Sequence, residues 1–259
     1  MNSGLPLVVM NAGFFKTGST LASEAILLAA RVRGLNLRHR KVHFIRGRFR
    51  RQLGELAQTQ EQAQGARVVL TFRDPVDTYL SYLVHQSRKS NRPINANTDL
   101  LDVISPHSFS KFCRQFVRYH EGLWSEIDEL EVADGVVYLR YSNFSLNKLE
   151  AVRFLLPTTP ATDQTELALR LDEELAVDKM RQRVGQPAGV RGSWIYRTAG
   201  SDDPTFFAFG GAGRADQSLP RSQVNEMREE FIEVLSVLPE RIRDVAKSEV
   251  ALQGPELDA

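Results

Sequence analysis

The 259-residue chain carries 33 Lys and Arg against 32 Asp and Glu, a formal net charge of +1, with 42% hydrophobic and 25% charged residues. That balance excludes a disordered chain and gives no global attraction to nucleic acid, and a chain of this length buries a core without staples. The single cysteine, Cys113, excludes an intramolecular disulfide and a multi-cysteine metal site.

The five histidines, His39, His43, His85, His107 and His120, show no ligand spacing of the HExxH kind, so no metal is expected. No apolar run reaches the roughly 18 residues of a membrane span. The short apolar run near the N-terminus lacks a basic region before it and reads as a strand rather than a signal peptide. The expectation is one domain over residues 1–259 in a reducing, cytoplasmic setting, with a disordered tail after about residue 253.

In chain order, Leu5–Met10 is the first expected strand, and Leu21–Val32, with Leu21, Ala25, Leu28 and Val32 at helical spacing, is the first helix. Between them lies Met10-Asn11-Ala12-Gly13-Phe14-Phe15-Lys16-Thr17-Gly18-Ser19-Thr20. A helix start offers N–H groups without intrahelical partners and the positive end of the dipole, the place where open α/β folds hold phosphate. Gly13 and Gly18 permit close approach, Thr17, Ser19 and Thr20 bring hydroxyls, and Lys16 brings a cation. The stretch reads equally as an oxyanion cradle or as an ordinary capped βα turn. It is not a Walker A loop, because Lys16 stands two residues before Gly18 instead of directly after it.

A second strand is expected at Lys41–Arg46, a helix at Phe49–Gln64 and a buried third strand at Ala66–Phe72. From Arg31 to Arg51, nine of 21 residues are Lys or Arg with no acid among them. The run is either a solvated basic face or a surface that attracts an anionic cofactor or acceptor. His43 would lie near the end of the second strand, where a lone histidine is as a rule structural. After the third strand comes Arg73-Asp74-Pro75-Val76-Asp77, with Ser81 eight residues beyond Arg73. Pro75 suits the first turn of a helix over Val76–Arg88 and Asp74 its N-cap. Arg73 and Ser81 then fall where both face one oxyanion, though Arg-Asp-Pro also occurs as mere capping.

Ser90–Thr98 reads as a loop, Ser108–Leu130 as a helix, Val136–Tyr141 as a fourth strand and Leu146–Leu156 as a helix stopped by Pro157. Gln164–Arg183 is an amphipathic helix, Gly185–Leu219 a long glycine-rich stretch without period, and Pro220–Leu238 and Arg241–Val250 close the chain as helices. Strands alternating with helices argue a parallel sheet with right-handed crossovers, hence an α/β, three-layer α/β/α architecture.

Taken together, these residues resemble the sulfotransferase family that uses 3′-phosphoadenosine-5′-phosphosulfate (PAPS). Phe15-Lys16-Thr17-Gly18-Ser19-Thr20 is similar to its 5′-phosphosulfate loop, Pro-Lys-Ser-Gly-Thr-Thr, and Arg73-Asp-Pro-x-Asp with Ser81 to its 3′-phosphate element. Val42-His43-Phe44 sits where cytosolic members carry the catalytic histidine. Leu139-Arg140-Tyr141-Ser142-Asn143-Phe144 resembles the segment whose tyrosine reaches the adenine, and Gly210-Gly211-Ala212-Gly213-Arg214 the late loop over the 3′-phosphate. The resemblance implies a P-loop NTPase-like sulfotransferase fold, PAPS as co-substrate and no metal. It implies Lys16 and His43 as catalytic residues, with Lys16, Thr17, Gly18, Ser19, Thr20, Arg73, Ser81, Tyr141, Gly213 and Arg214 as nucleotide ligands. The implied partner is a small-molecule or glycan acceptor, anionic if the basic run serves it, with neither nucleic acid nor membrane span.

Phe15 replaces the family's Pro, Leu21 stands where many members stack a Trp on adenine, and Ala208-Phe209-Gly210 stands in place of Arg-Lys-Gly. The segments around Phe14, Leu83–Asn97 and Gly192–Phe209 are expected to shape the acceptor site; a carboxylate, as in glycan-modifying relatives, is the competing base to His43, and Glu24, the nearest acid in sequence, is expected to face solvent. A small-molecule kinase on a related scaffold, and a nucleotide- or glycan-binding module without chemistry, are the alternatives.

Overall fold

The computed structural model describes residues 5–42, 47–89, 104–156, 160–176, 179–180 and 213–251. Strand β1 (Leu7–Asn11) lies beside β2 (Leu37–Lys41) and β3 (Arg67–Phe72), and β4 (Val136–Arg140) flanks β3, giving the order β2-β1-β3-β4 with every pair parallel. The side-chain period of a strand divides each one between two cores. Val8, Met10, Val68, Leu70 and Phe72 face one side, while Val9, Val69 and Leu139 face the other.

On the second side lie α1 (Ser19–Val32) and α7 (Ala161–Glu174), through Ala22, Ala25, Ile26, Ala29, Leu167 and Leu171. On the first lie α2 (Arg48–Ala57), α4 (Pro75–Lys89), α5 (Pro106–Glu129), α9 (Arg221–Val234) and α10 (Glu240–Ala251). The result is the expected three-layer α/β/α architecture about a parallel sheet. Its centre on the α5 side is aromatic: Phe14 meets Phe112, Phe116 and Tyr119 edge-on at 5.1–5.7 Å between ring centres.

Several boundaries differ from the sequence reading. The second strand is Leu37–Lys41, not Lys41–Arg46, and residues 43–46 lie outside the described part. Gly34, at φ +61°, turns the chain sharply after α1, so β2 pairs with β1 from Leu7↔Leu37 onward. The helix expected over Phe49–Gln64 breaks in two because Gln58 takes φ +64° and Thr59 then caps α3 (Gln60–Gln64) with its side chain on Gln62 N. Tyr141 opens helix α6 (Tyr141–Leu146) instead of ending a strand, and short tight turns over Lys148–Ala151 and Arg153–Leu155 replace the helix read at Leu146–Leu156. The loop read at Ser90–Thr98 and most of the glycine-rich stretch lie outside the described residues. That stretch ends in a short helix, α8 (Arg214–Ser218).

Candidate functional site

The loops after β1 and β3 leave the sheet in opposite directions, toward α1 on one face and α4 on the other. The crevice between them at the carboxyl ends of adjacent parallel strands is where such sheets bind ligands. Asn11, the last residue of β1, holds the first loop. Its amide donates to Ser19 O and Ser23 Oγ, both at 2.9 Å, and its Oδ1 accepts from Gly13 N. The Thr17 hydroxyl donates to Phe14 O at 2.8 Å and so accepts from the Thr71 hydroxyl at 2.7 Å, which pins the loop to β3.

Lys16, at φ +63°, and Gly18, at φ +88°, both take the left-handed conformation. For a lysine this is a strained state of the kind that accumulates at functional sites, costing about 1 kcal/mol or more. Gly18 caps α1 without any side-chain cap, and no acid lies in the first turn. A side chain at Gly18 would collide with the Tyr141 ring at 2.3 Å. Thr17 and Ser19 are buried, while Lys16 and Thr20 are half-buried. The helix start thus presents backbone N–H groups, hydroxyls and a cation, a donor set fit for a phosphate or sulfate.

Lys41, at the carboxyl end of β2, is the residue that sequence reasoning leaves out. It is buried, and its Nζ donates to Thr20 Oγ1 at 2.6 Å. Burial brings its pKa down to about 7, the charge of Lys16 adds to the fall, and Glu24 opposes it. Glu24 is therefore buried beside the cradle, not facing solvent. The signal available in sequence is position: Lys41 lies at the end of a strand adjacent to β1, in the same crevice, but it hides inside a basic run.

Arg73 follows β3 and is buried. Its Nη1 reaches Lys16 O at 3.4 Å, its Nη2 lies 3.7 Å from Asp77 Oδ2, and its Cζ stands 4.8 Å over the Tyr141 ring. The structure thus brings Lys16, Gly18, Arg73 and Tyr141 together. Ser81, half-buried, lies on α4 one turn beyond Asp77. Asp74 caps α4 as expected, its Oδ1 accepting from Val76 N at 3.0 Å and Asp77 N at 2.9 Å. Burial pushes Asp74 up to about 6 against the pull of Arg228, whose Nε donates to Asp74 Oδ2 at 2.9 Å. Glu249, fully buried on α10, accepts from Ser142 Oγ at 2.6 Å and so fixes the first turn of α6, which bears Tyr141. Arg228 and Glu249 are more than a hundred residues from the groups they hold, a relation no local pattern announces.

Phe14 is fully buried in the aromatic core, and half-buried Phe15 packs beside it, 6.5 Å from Tyr82. Four of the nine cations of the basic run pair with carboxylates: Arg33 with Asp163 at 2.9 Å, Arg40 with Glu55 at 2.7 Å, Arg51 with Glu55 at 3.7 Å, and Arg50 with Glu129. His43 lies outside the described residues, as does the side chain of Arg214; Gly213 is described and opens α8 at φ +73°.

Among solved structures, the chain is similar to mouse sulfotransferase SULT7A1 complexed with PAP, at a TM-score of 0.56 and 14% identity, covering 93% of this chain and 88% of that one. The fold is the α/β sulfotransferase fold. No family model matches the sequence, and no curated protein does. Within this sulfotransferase fold, no helix among the described residues is long and apolar enough to cross a membrane. No group of three or more His, Cys, Asp or Glu among them is placed to hold a metal ion.

Proposed function

We propose that the chain is a sulfotransferase that moves a sulfuryl group from PAPS to a hydroxyl or amine of an acceptor. The observation that carries this reading is the convergence of three cations, Lys16, Lys41 and Arg73, on one crevice at the ends of β1, β2 and β3. A kinase with a Walker loop is the weaker reading, because its lysine position is absent, and Asp74 and Asp77 are held by N–H donors and Arg228.

The donor set fits PAPS, which when bound supplies the sulfuryl group and leaves as 3′-phosphoadenosine 5′-phosphate (PAP). Lys16, Thr17, Gly18, Ser19 and Thr20 would hold its 5′ end. Arg73 and Ser81 would hold the 3′-phosphate, with Tyr141, Gly213 and Arg214 completing the nucleotide site. Lys16 and Lys41 would stabilise the charge that grows on the departing phosphate oxygen. Preorganised cations aimed at such charge are usually the largest catalytic term. His43, two residues beyond Lys41, is the group to take the acceptor proton, an imidazole being suited to that exchange near neutral pH.

The test is titration calorimetry with PAP, AMP and ATP under identical salt. The expected result is preference for PAP over AMP, lost when Arg73 is replaced by Ala. Tighter binding of ATP with magnesium than of PAP would overturn the reading in favour of a kinase.

A further inference from the structure

Asp77 is buried with less than 2% of its surface exposed, and both of its carboxylate oxygens are spoken for. Oδ2 accepts from Gly213 N at 2.9 Å and Oδ1 from Ala215 N at 2.7 Å, across 136 and 138 residues of chain. The same Oδ2 lies 3.7 Å from Nη2 of Arg73, which stands just before α4 begins. Arg228 closes the arrangement from the other side, donating to Asp74 and forking onto Asp216 with Nη1 at 3.1 Å and Nη2 at 2.9 Å.

A separation of 3.7 Å is longer than a charge-assisted hydrogen bond, which closes to about 2.7–2.9 Å. Asp77 therefore acts on Arg73 through its field. Two backbone N–H donors draw on the same carboxylate and soften that field, which still sets the direction of the guanidinium. Lys16 O and the Tyr141 ring hold the guanidinium on its other sides. Gly213 takes φ +73° with open space where a side chain would sit. Backbone conformation, not crowding, calls for glycine there, and that conformation turns its N–H onto Asp77.

We propose that Asp77 is a positioning residue for the 3′-phosphate, holding Arg73 in its binding direction while being held itself by the first turn of α8. The proposal rests on the sulfotransferase reading and adds to it a reason for α8 to dock on α4: the backbone of a late segment tunes a cation more than a hundred residues earlier. The carboxylate touches no reacting atom and acts only through Arg73.

The experiment is calorimetric titration of PAP and of AMP into the wild-type chain, Asp77→Asn, Arg73→Ala and the double variant, with melting curves to establish folding. The quantity read is the ratio of PAP to AMP affinity, which a general loss of structure lowers for both ligands alike. Asp77→Asn should lower the ratio about tenfold, the size of one weakened charge-assisted contact. In the Arg73→Ala background it should lower the ratio no further. Gly213→Ala, whose side chain meets nothing, should lower the ratio less, and it decides the matter if Asp77→Asn fails to fold. An unchanged ratio in a folded variant, or an equal drop with and without Arg73, overturns the proposal. A wild-type chain holding PAP no better than AMP overturns the sulfotransferase reading and this proposal with it.

Discussion

Lys41 Nζ donates to Thr20 Oγ1 at 2.6 Å, so the end of one strand is fastened to the first turn of the helix that follows its neighbour. With its pKa near 7, Lys41 is divided between its charged and neutral forms at neutral pH in the ligand-free chain. An anion in the cradle favours the charged form. Affinity for PAP should therefore rise as pH falls from about 8.5 to 6.5, and Lys41→Met should flatten that dependence. Stability has its own slope. The unfolded chain holds this proton up to about 10.5 and the folded chain releases it near 7, so Lys41 makes stability climb with pH between those values. Melting curves of Lys41→Met without that climb would bear this out; an unaltered slope would refute it.

Lys16 and His43 have different tasks in the proposed reaction, so their variants should part company. His43→Ala should lower turnover by about 10²–10⁴-fold with nearly intact PAP affinity, as for loss of a general base. Lys16→Ala should lower turnover and weaken PAP as well. Steady-state rates beside calorimetry separate the two. Near-wild-type turnover in His43→Ala would make that histidine structural.

Gly18→Ala should destroy the cradle. Its methyl would need to displace the Tyr141 ring, 2.3 Å away, from a backbone at φ +88°. The cost is about 2–4 kcal/mol from overpacking plus left-handed strain. A melting curve reads the first consequence and loss of PAP binding the second.

His120 is wholly enclosed among Phe14, Phe72, Phe116 and Tyr119, with Nδ1 against Phe116 O. Burial lowers its pKa from 6.5 to about 4. The unfolded chain takes up a proton below pH 6.5 while the folded chain refuses it until about 4, so stability is lost as pH falls through that window. The loss reaches about 3 kcal/mol. Denaturant titrations of His120→Leu should show a shallower decline between pH 6.5 and 4, to which half-buried His39, its pKa lowered to about 4 by desolvation, still contributes.

An anionic acceptor would make its Michaelis constant rise with salt, since exposed charges are screened over about 8–10 Å. With Arg33, Arg40, Arg50 and Arg51 already paired to carboxylates, the salt effect should be small. A steep rise in the constant between low and physiological salt would restore the basic run as an acceptor surface.

What the sequence made legible was local. The βα turn around Lys16 and the Arg73-Asp74-Pro75 element announce themselves because strand end, glycine, hydroxyl and cap fall within a dozen residues. The alternation of strands and helices was enough for the layer architecture. β2 escaped because its Leu-Arg-His-Arg-Lys pattern carries one apolar residue, and only pairing with β1 gives it extended form. The break at Gln58 escaped because a left-handed glutamine leaves no compositional trace. Lys41, Arg228 and Glu249 escaped for a common reason: each is defined by a partner distant in sequence, and a buried charge looks, in one dimension, like an exposed one.

Among the described residues, β2 forms one border of the sheet, with β1 on its inner side only. A border strand displays unmatched backbone groups and invites a strand from another molecule, the first step toward ordered aggregates. Four of the five residues of β2 are Arg, His or Lys. An approaching copy would bring the same arginines, Arg38 and Arg40, against this strand, and Arg38 further ties it to α2 through Leu56 O at 3.2 Å. The basic run thus acts as a fence along the sheet, and replacing Arg38 and Arg40 by Thr and Val would be expected to cost colloidal solubility well before it cost stability.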